Sequence, residues 1–158
     1  GESVFSEGTH TRLRRIVWGV FERKIDGKQL CVVNTHLSLS KTDGQYAIKQ
    51  AHELAQFIND LYYKYNVPIF LTGDFNAGER KENCVYLPSV YETICTTATD
   101  AKKTALNLNY GIGKSTSSSS VDHIFIRGNV NTLNYVLLSQ PQFSKLSDHY
   151  PIFVDCVL

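Results

Sequence analysis

Four short segments of this 158-residue chain set a carboxylate, an amide or an imidazole beside an otherwise apolar run: Asn34-Thr35-His36, Asp74-Phe75-Asn76, Asp122-His123 and Asp148-His149. Polar groups at such boundaries need a reason. Along an extended strand the side chains alternate, so Asp74 and Asn76 are expected on one side and Phe75 on the other. Two converging oxygen-bearing side chains can hold a hard cation and a phosphate oxygen. Asp148 and His149 are adjacent, point apart if extended, and cannot bond each other as a dyad. His149 therefore needs an orienting carboxylate from elsewhere. Taken singly, an Asp at a strand end is more often a turn or cap residue, because its side chain bonds nearby backbone. The information lies in the ordered combination.

The elements that must position these groups follow from periodicity. Arg12 to Glu22 carries Leu13, Ile16, Val17, Trp18, Val20 and Phe21, a β-branched and aromatic set that suits a strand, and Asp26-Gly27 reads as a hairpin turn. Leu30 to Val33 is a continuous apolar run, the pattern of a strand covered on both faces. From Thr42 to Tyr65 the apolar residues Ala47, Ile48, Ala51, Leu54, Ala55, Ile58, Leu61 and Tyr62 fall at helical spacing. Pro68 closes that helix, and Ile69, Phe70 and Leu71 form a strand that delivers Asp74 and Asn76 at its end. Residues 77–114 read as long loops with a short helix at Ser89 to Cys95, and Ser115 to Ser120 as a polar surface tract. Strands are predicted at Asp122 to Ile126 and Leu133 to Leu138 around a Gly128-Asn129 turn, with a closing strand at Tyr150 to Leu158.

Composition bounds the function classes. With 42% hydrophobic residues the chain can bury one core, so residues 1–158 read as a single domain. A formal net charge of +1 lacks the basic excess of a dedicated nucleic-acid binder, so any polyanion contact is local. The four cysteines form no CxxC pair, which argues against a structural zinc site. No run approaches the roughly 18 apolar residues of a membrane helix, so a soluble chain is expected, with the compartment open between cytoplasm and secretion. The chain starts at Gly1 and contains no Met, so its amino terminus reads as processed or as part of a longer parent.

On Asn34-Thr35-His36-Leu37, Gly73-Asp74-Phe75-Asn76-Ala77, Val121-Asp122-His123-Ile124-Phe125-Ile126 and Ser147-Asp148-His149-Tyr150-Pro151-Ile152, the sequence resembles the endonuclease/exonuclease/phosphatase superfamily, also called deoxyribonuclease I-like. The resemblance implies an α/β fold, part of a four-layer α/β/β/α sandwich with mixed sheets. It also implies roles. His149 is matched to the catalytic histidine and Asp122 to the aspartate that orients it. Asp74 is matched to the group that positions or deprotonates the attacking water, and His36 to a histidine that contacts phosphate. Asn76 is matched to the amide that holds phosphate or metal, and Asp148 to a metal-binding aspartate. The implied metal set is Asp148, Asp74 and Asn76, and their oxygen donors favour Mg²⁺ or Mn²⁺ over zinc.

The family pattern also has an amino-terminal half with an asparagine and a metal-binding glutamate, and no counterpart precedes His36. The expectation is a domain lacking its amino-terminal half, whose exposed sheet surface is completed by the missing segment, a partner chain or a second copy. The substrate is expected to be a phosphate ester: nucleic acid, phospholipid, or sugar or inositol phosphate. The alternative function is a catalytically incompetent half-domain that binds phosphate or another protein. Two decoys are set aside. Gly111-Ile112-Gly113-Lys114-Ser115 lacks the first glycine of a P-loop, and Arg12, Arg14 and Arg15 read as a solvated edge rather than a polyanion site.

Overall fold

A computed structural model of the chain describes residues 1–7, 13–79, 87–109 and 120–158, the side chains of 40–43 excepted. In chain order the elements are β1 (Glu2–Val4), β2 (Arg15–Glu22), β3 (Gln29–His36), α1 (Ser40–Tyr65), β4 (Ile69–Asp74) and α2 (Pro88–Cys95). There follow β5 (Thr99–Asp100), α3 (Ala101–Thr104), β6 (Asn107–Asn109), β7 (Asp122–Arg127), β8 (Asn131–Leu137), a 3₁₀ turn at Phe143–Lys145 and β9 (Ile152–Val157). A six-stranded sheet has the order β1-β2-β3-β4-β7-β5, and a three-stranded sheet the order β6-β8-β9. Both sheets are mixed: β3 and β4 run parallel across the α1 crossover, as do β6 and β8, while the other pairs are antiparallel.

One core lies between the six-stranded sheet and the helices. Helix α1 contributes Ala47, Ala51, Leu54, Ile58 and Leu61, a stripe at helical spacing, and α2 contributes Val90, Tyr91 and Ile94. They pack on Ile16, Cys31, Val33, Ile69, Leu71 and Phe125 of the sheet. Helix α1 ends at Asn66, which takes the left-handed conformation (φ 51°) and donates its N–H to Tyr62 O. A smaller cluster on the opposite face joins Ile124 and Ile126 to Tyr135, with Phe70, Ile152 and Val154 around it. Helices, sheet and second sheet thus form three consecutive layers of the expected sandwich among the described residues. None of the described helices is long and apolar enough to cross a membrane.

Several sequence expectations are revised. Strand β2 begins at Arg15, and Arg12 lies outside the described residues, as do the glycine-lysine decoy at 111–115 and residues 115–119 of the serine tract. In β3 the run from Leu30 to Val33 is not covered on both faces: Cys31 and Val33 are buried, while Leu30 and Val32 are half-exposed. Among the described residues, the second sheet lies over the β4–β7 side. On the open face of β2, Val17 and Phe21 stay 54% and 57% exposed. The segment expected as long loops contains α2 as predicted, but also β5, α3 and β6. Elements of two to four residues are too short to show a period. Tertiary partners define them instead: β6 pairs with β8, and Asp100 caps α3 by accepting the Lys102 N–H at 3.0 Å.

Candidate active site

Three of the predicted side chains stand in a row across three neighbouring strands. The parallel register of β3 and β4 sets His36 opposite Asp74, and the antiparallel register of β4 and β7 sets Asp74 opposite Asp122. The row lies at the carboxyl ends of the parallel pair, where open α/β sheets present their loops and ligand crevices. Gly73 makes the close approach possible: at φ 145°, any Cβ here would lie 1.9 Å from Thr35 O. Leu37 N–H donates to Asp74 O at 3.0 Å and Phe75 N–H to Val121 O at 2.9 Å, which ties the ends of all three strands together. His36 Nε2 then lies 3.4 Å from Asp74 Oδ2.

His149 arrives from the loop before β9. Its Nδ1 donates to Asp122 Oδ2 at 2.8 Å, and its backbone N–H donates to Ser147 Oγ at 3.0 Å. The orienting carboxylate that Asp148 cannot supply by adjacency therefore comes from β7. A cleft of about 360 Å³ opens here, lined by Asn34, His36, Thr72, Asp74, Asp122 and Tyr150 among others.

The charges in this cleft perturb one another. Burial pushes the Asp74 carboxyl above its ordinary range; the Asn76 N–H on its Oδ1 at 2.8 Å opposes that, while the Asp122 charge adds to it. Burial would lower His149, yet the hydrogen bond and charge of Asp122, with Asp74 and Asp148 behind it, raise it above the usual histidine range. His36 moves the other way: burial lowers it despite Asp74, and the charge of Arg14 adds to the downward push. Neighbouring imidazoles are thus driven apart, one toward the protonated and one toward the neutral form.

Asn76 does not follow the strand alternation. Strand β4 stops at Asp74, Asn76 is left-handed (φ 49°) and 4% exposed, and its Nδ2 donates to Leu37 O at 2.9 Å. The Asp74 carboxylate accepting the N–H two residues on bends the chain there. Asp148 is exposed and precedes His149 outside the row. Three cleft residues escaped the sequence reading as site candidates. Thr72 and Asn34 lie two positions before Asp74 and His36, on the same strand faces, and Asn34 Nδ2 donates to Thr72 Oγ1 at 2.9 Å. A polar residue two before a site residue on an apolar strand was the available signal. Tyr150 carried none apart from its place after His149. Arg14, set aside with the solvated edge, is half-buried and near enough for His36 to feel its charge.

Asp74, Asp122 and His149 offer ligand atoms that all lie within 4.8 Å of one another. Two carboxylates crowded together, one destabilised as an anion by burial, suit a divalent cation, and their hard oxygens suit Mg²⁺ or Mn²⁺. The residues present therefore fit such an ion on the Asp74–Asp122 side. Because His149 Nδ1 is engaged with Asp122, a metal bound by all three groups would have to replace that hydrogen bond or use the other ring nitrogen.

No family model matches the chain, and no curated protein matches it in sequence. Solved structures do match. A mannosyl-6-phosphatase from Bacteroides thetaiotaomicron superposes with a TM-score of 0.78 at 21% identity, over 100% of this chain and 65% of that one. An endonuclease/exonuclease/phosphatase family protein from the same organism gives 0.77 at 20% identity, over 99% and 63%. The human Nocturnin catalytic domain with a bound sulfate anion gives 0.72 at 19% identity, over 99% and 58%. The chain has the endonuclease/exonuclease/phosphatase fold, as its motifs led one to expect. It spans less than two thirds of the length of each of these three structures.

Proposed function

We propose that the chain is the carboxy-terminal, catalytic part of a divalent-metal-dependent phosphoesterase of the endonuclease/exonuclease/phosphatase superfamily, hydrolysing a phosphodiester or phosphomonoester by water attack. The observation that carries this reading is the meeting of the His149–Asp122 pair with Asp74, itself beside His36, their ligand atoms within 4.8 Å in the case of Asp74, Asp122 and His149. Asp122 holds the His149 ring through Nδ1 and favours its protonated form, so Nε2 can donate to the phosphate or to the leaving oxygen. Asp74, with Oδ1 committed to the Asn76 N–H, turns its other oxygen to the attacking water. His36, held toward the neutral form, contacts the phosphate beside it. Asn76 supports the turn through Leu37 O and stands at the base of the phosphate site. A cation held by Asp74 and Asp122, with the exposed Asp148 close in sequence, would neutralise the nonbridging oxygens.

The open face of β2, where Val17 and Phe21 are exposed, calls for cover by a further segment of the protein or a partner chain. That cover would raise a second wall over the row of site residues. The substrate class is a phosphate ester; the small net charge disfavours nonspecific nucleic-acid cleavage, which gains from a basic groove. Chromogenic monoester and diester substrates, assayed on the intact protein with Mg²⁺, with Mn²⁺ and after EDTA, test this reading. Hydrolysis that needs the metal is expected. Undiminished turnover after exhaustive chelation overturns it.

A further inference from the structure

Strand β7 turns two consecutive residues in opposite directions: Asp122 to the cleft and His123 to the core. His123 is 5% exposed and caged by Tyr91, Phe125 and Phe75, with ring centroids 5.0, 5.3 and 5.9 Å away. A polar ring in such a cage is unfavourable unless its nitrogens are bonded, and both are. Nδ1 lies 3.0 Å from Asp100 Oδ2, and Nε2 lies 3.0 Å from Ala77 O. A backbone carbonyl only accepts, so Nε2 donates to Ala77 O. Asp100, 1% exposed, is itself fixed: its Oδ2 also accepts from Tyr91 OH at 2.9 Å, and its Oδ1 accepts from Lys102 N.

The far end of this chain of bonds is the strand exit that carries the site. Ala77 follows Asp74, Phe75 and Asn76 directly, beyond the end of β4. Gly78 next to it packs so closely that a Cβ would lie 2.5 Å from Ser120 O. We infer that His123 is a positioning residue: anchored by Asp100 and Tyr91, its Nε2–H grips the Ala77 carbonyl and so fixes the turn that aims Asp74 into the cleft. One strand thereby serves the site twice, with Asp122 orienting His149 and His123 holding the Asp74 turn from behind. Misplacement of a reacting group by about 1 Å can cost on the order of 100-fold in rate, so a core bond of this kind reaches the chemistry without touching it.

The kinetic part of the test rests on the phosphoesterase reading; the exchange part does not. Gln at position 123 can place an amide donor near the Nε2 position, whereas Asn reaches only the Nδ1 position. His123→Gln is expected to keep kcat within about threefold, while His123→Asn lowers kcat about 10- to 100-fold with KM little changed. Amide exchange of Phe75 and Asn76 should quicken in His123→Asn and not in His123→Gln. Tyr91→Phe removes one bond to Asp100, is mild enough to fold, and should show the same exchange change to a smaller degree. Equal kcat and equal exchange in the Gln and Asn variants overturn the inference, as does an activity loss that tracks the unfolded fraction alone. If the wild-type protein hydrolyses no phosphoester, the functional reading falls, and the exchange pattern still decides whether His123 holds the turn.

Discussion

Two histidine–aspartate pairs sit back to back across β7, and they do different work. His149 and Asp122 meet in the cleft, with their side chains 34% and 20% exposed; His123 and Asp100 meet in the core, at 5% and 1%. The chemistry of the pairs is the same and the distances are close, 2.8 and 3.0 Å. Solvent access and the partner at the second nitrogen set them apart. In the core that partner is the Ala77 carbonyl, so the ring is held at both nitrogens; in the cleft no described residue holds the second nitrogen. The difference teaches that a His–Asp contact alone does not identify a catalytic group.

The comparison can be broken or sharpened by substitution. The largest expected effect is on turnover: His149→Ala should lower kcat by about 10²- to 10⁴-fold while shifting stability by less than about 1 kcal/mol, read by steady-state assay and thermal melting. Next is Asp100→Asn, which takes the carboxylate from a buried imidazole and removes an acceptor from Tyr91. A loss of about 3–5 kcal/mol is expected, seen as a melting temperature lower by roughly 10 °C. The smallest effect separates the pairs by pH. His149 is raised above its ordinary value, so the stabilisation it draws from Asp122 is full below about pH 6.5 and is lost as pH rises through the raised value. Asp100 is held below the ordinary carboxylate range: burial opposes this, but the interaction with His123 together with the hydrogen bonds from the Lys102 N–H and the Tyr91 hydroxyl outweighs it. Its contribution is full above about pH 4 and is lost only as pH falls through the lowered value. In EDTA, the melting difference between wild type and Asp122→Asn should shrink on going alkaline, whereas that for Asp100→Asn should persist until strong acid.

Much of this was legible before any coordinates. Helix α1 announced itself by spacing, and the polar strand ends marked His36, Asp74, Asp122 and His149. The need of His149 for a distant carboxylate followed from its adjacency to Asp148, and the structure supplies Asp122. Asn76 was misread because the alternation argument assumes an extended chain, while the Asp74 side chain captures the Asn76 N–H and turns the backbone left-handed. The core pair was illegible for another reason. Asp100 lies in a segment without period, 23 residues from its partner, and His123 sits inside an apolar strand where a lone histidine gives no sign of what it bonds. Pairings set by tertiary contact leave no local trace, and neither do strands of two or three residues.

The proposed function assigns metal-assisted phosphoester hydrolysis to the cleft pair. The most direct measurement is the rate of phosphate-ester hydrolysis by the intact protein at saturating Mg²⁺ or Mn²⁺, with and without EDTA, for wild type and His149→Ala side by side. The expected result is turnover that chelation abolishes, that restored metal recovers, and that the substitution lowers by at least about 100-fold. Turnover unchanged by chelation, or a His149→Ala variant as fast as wild type, would contradict it.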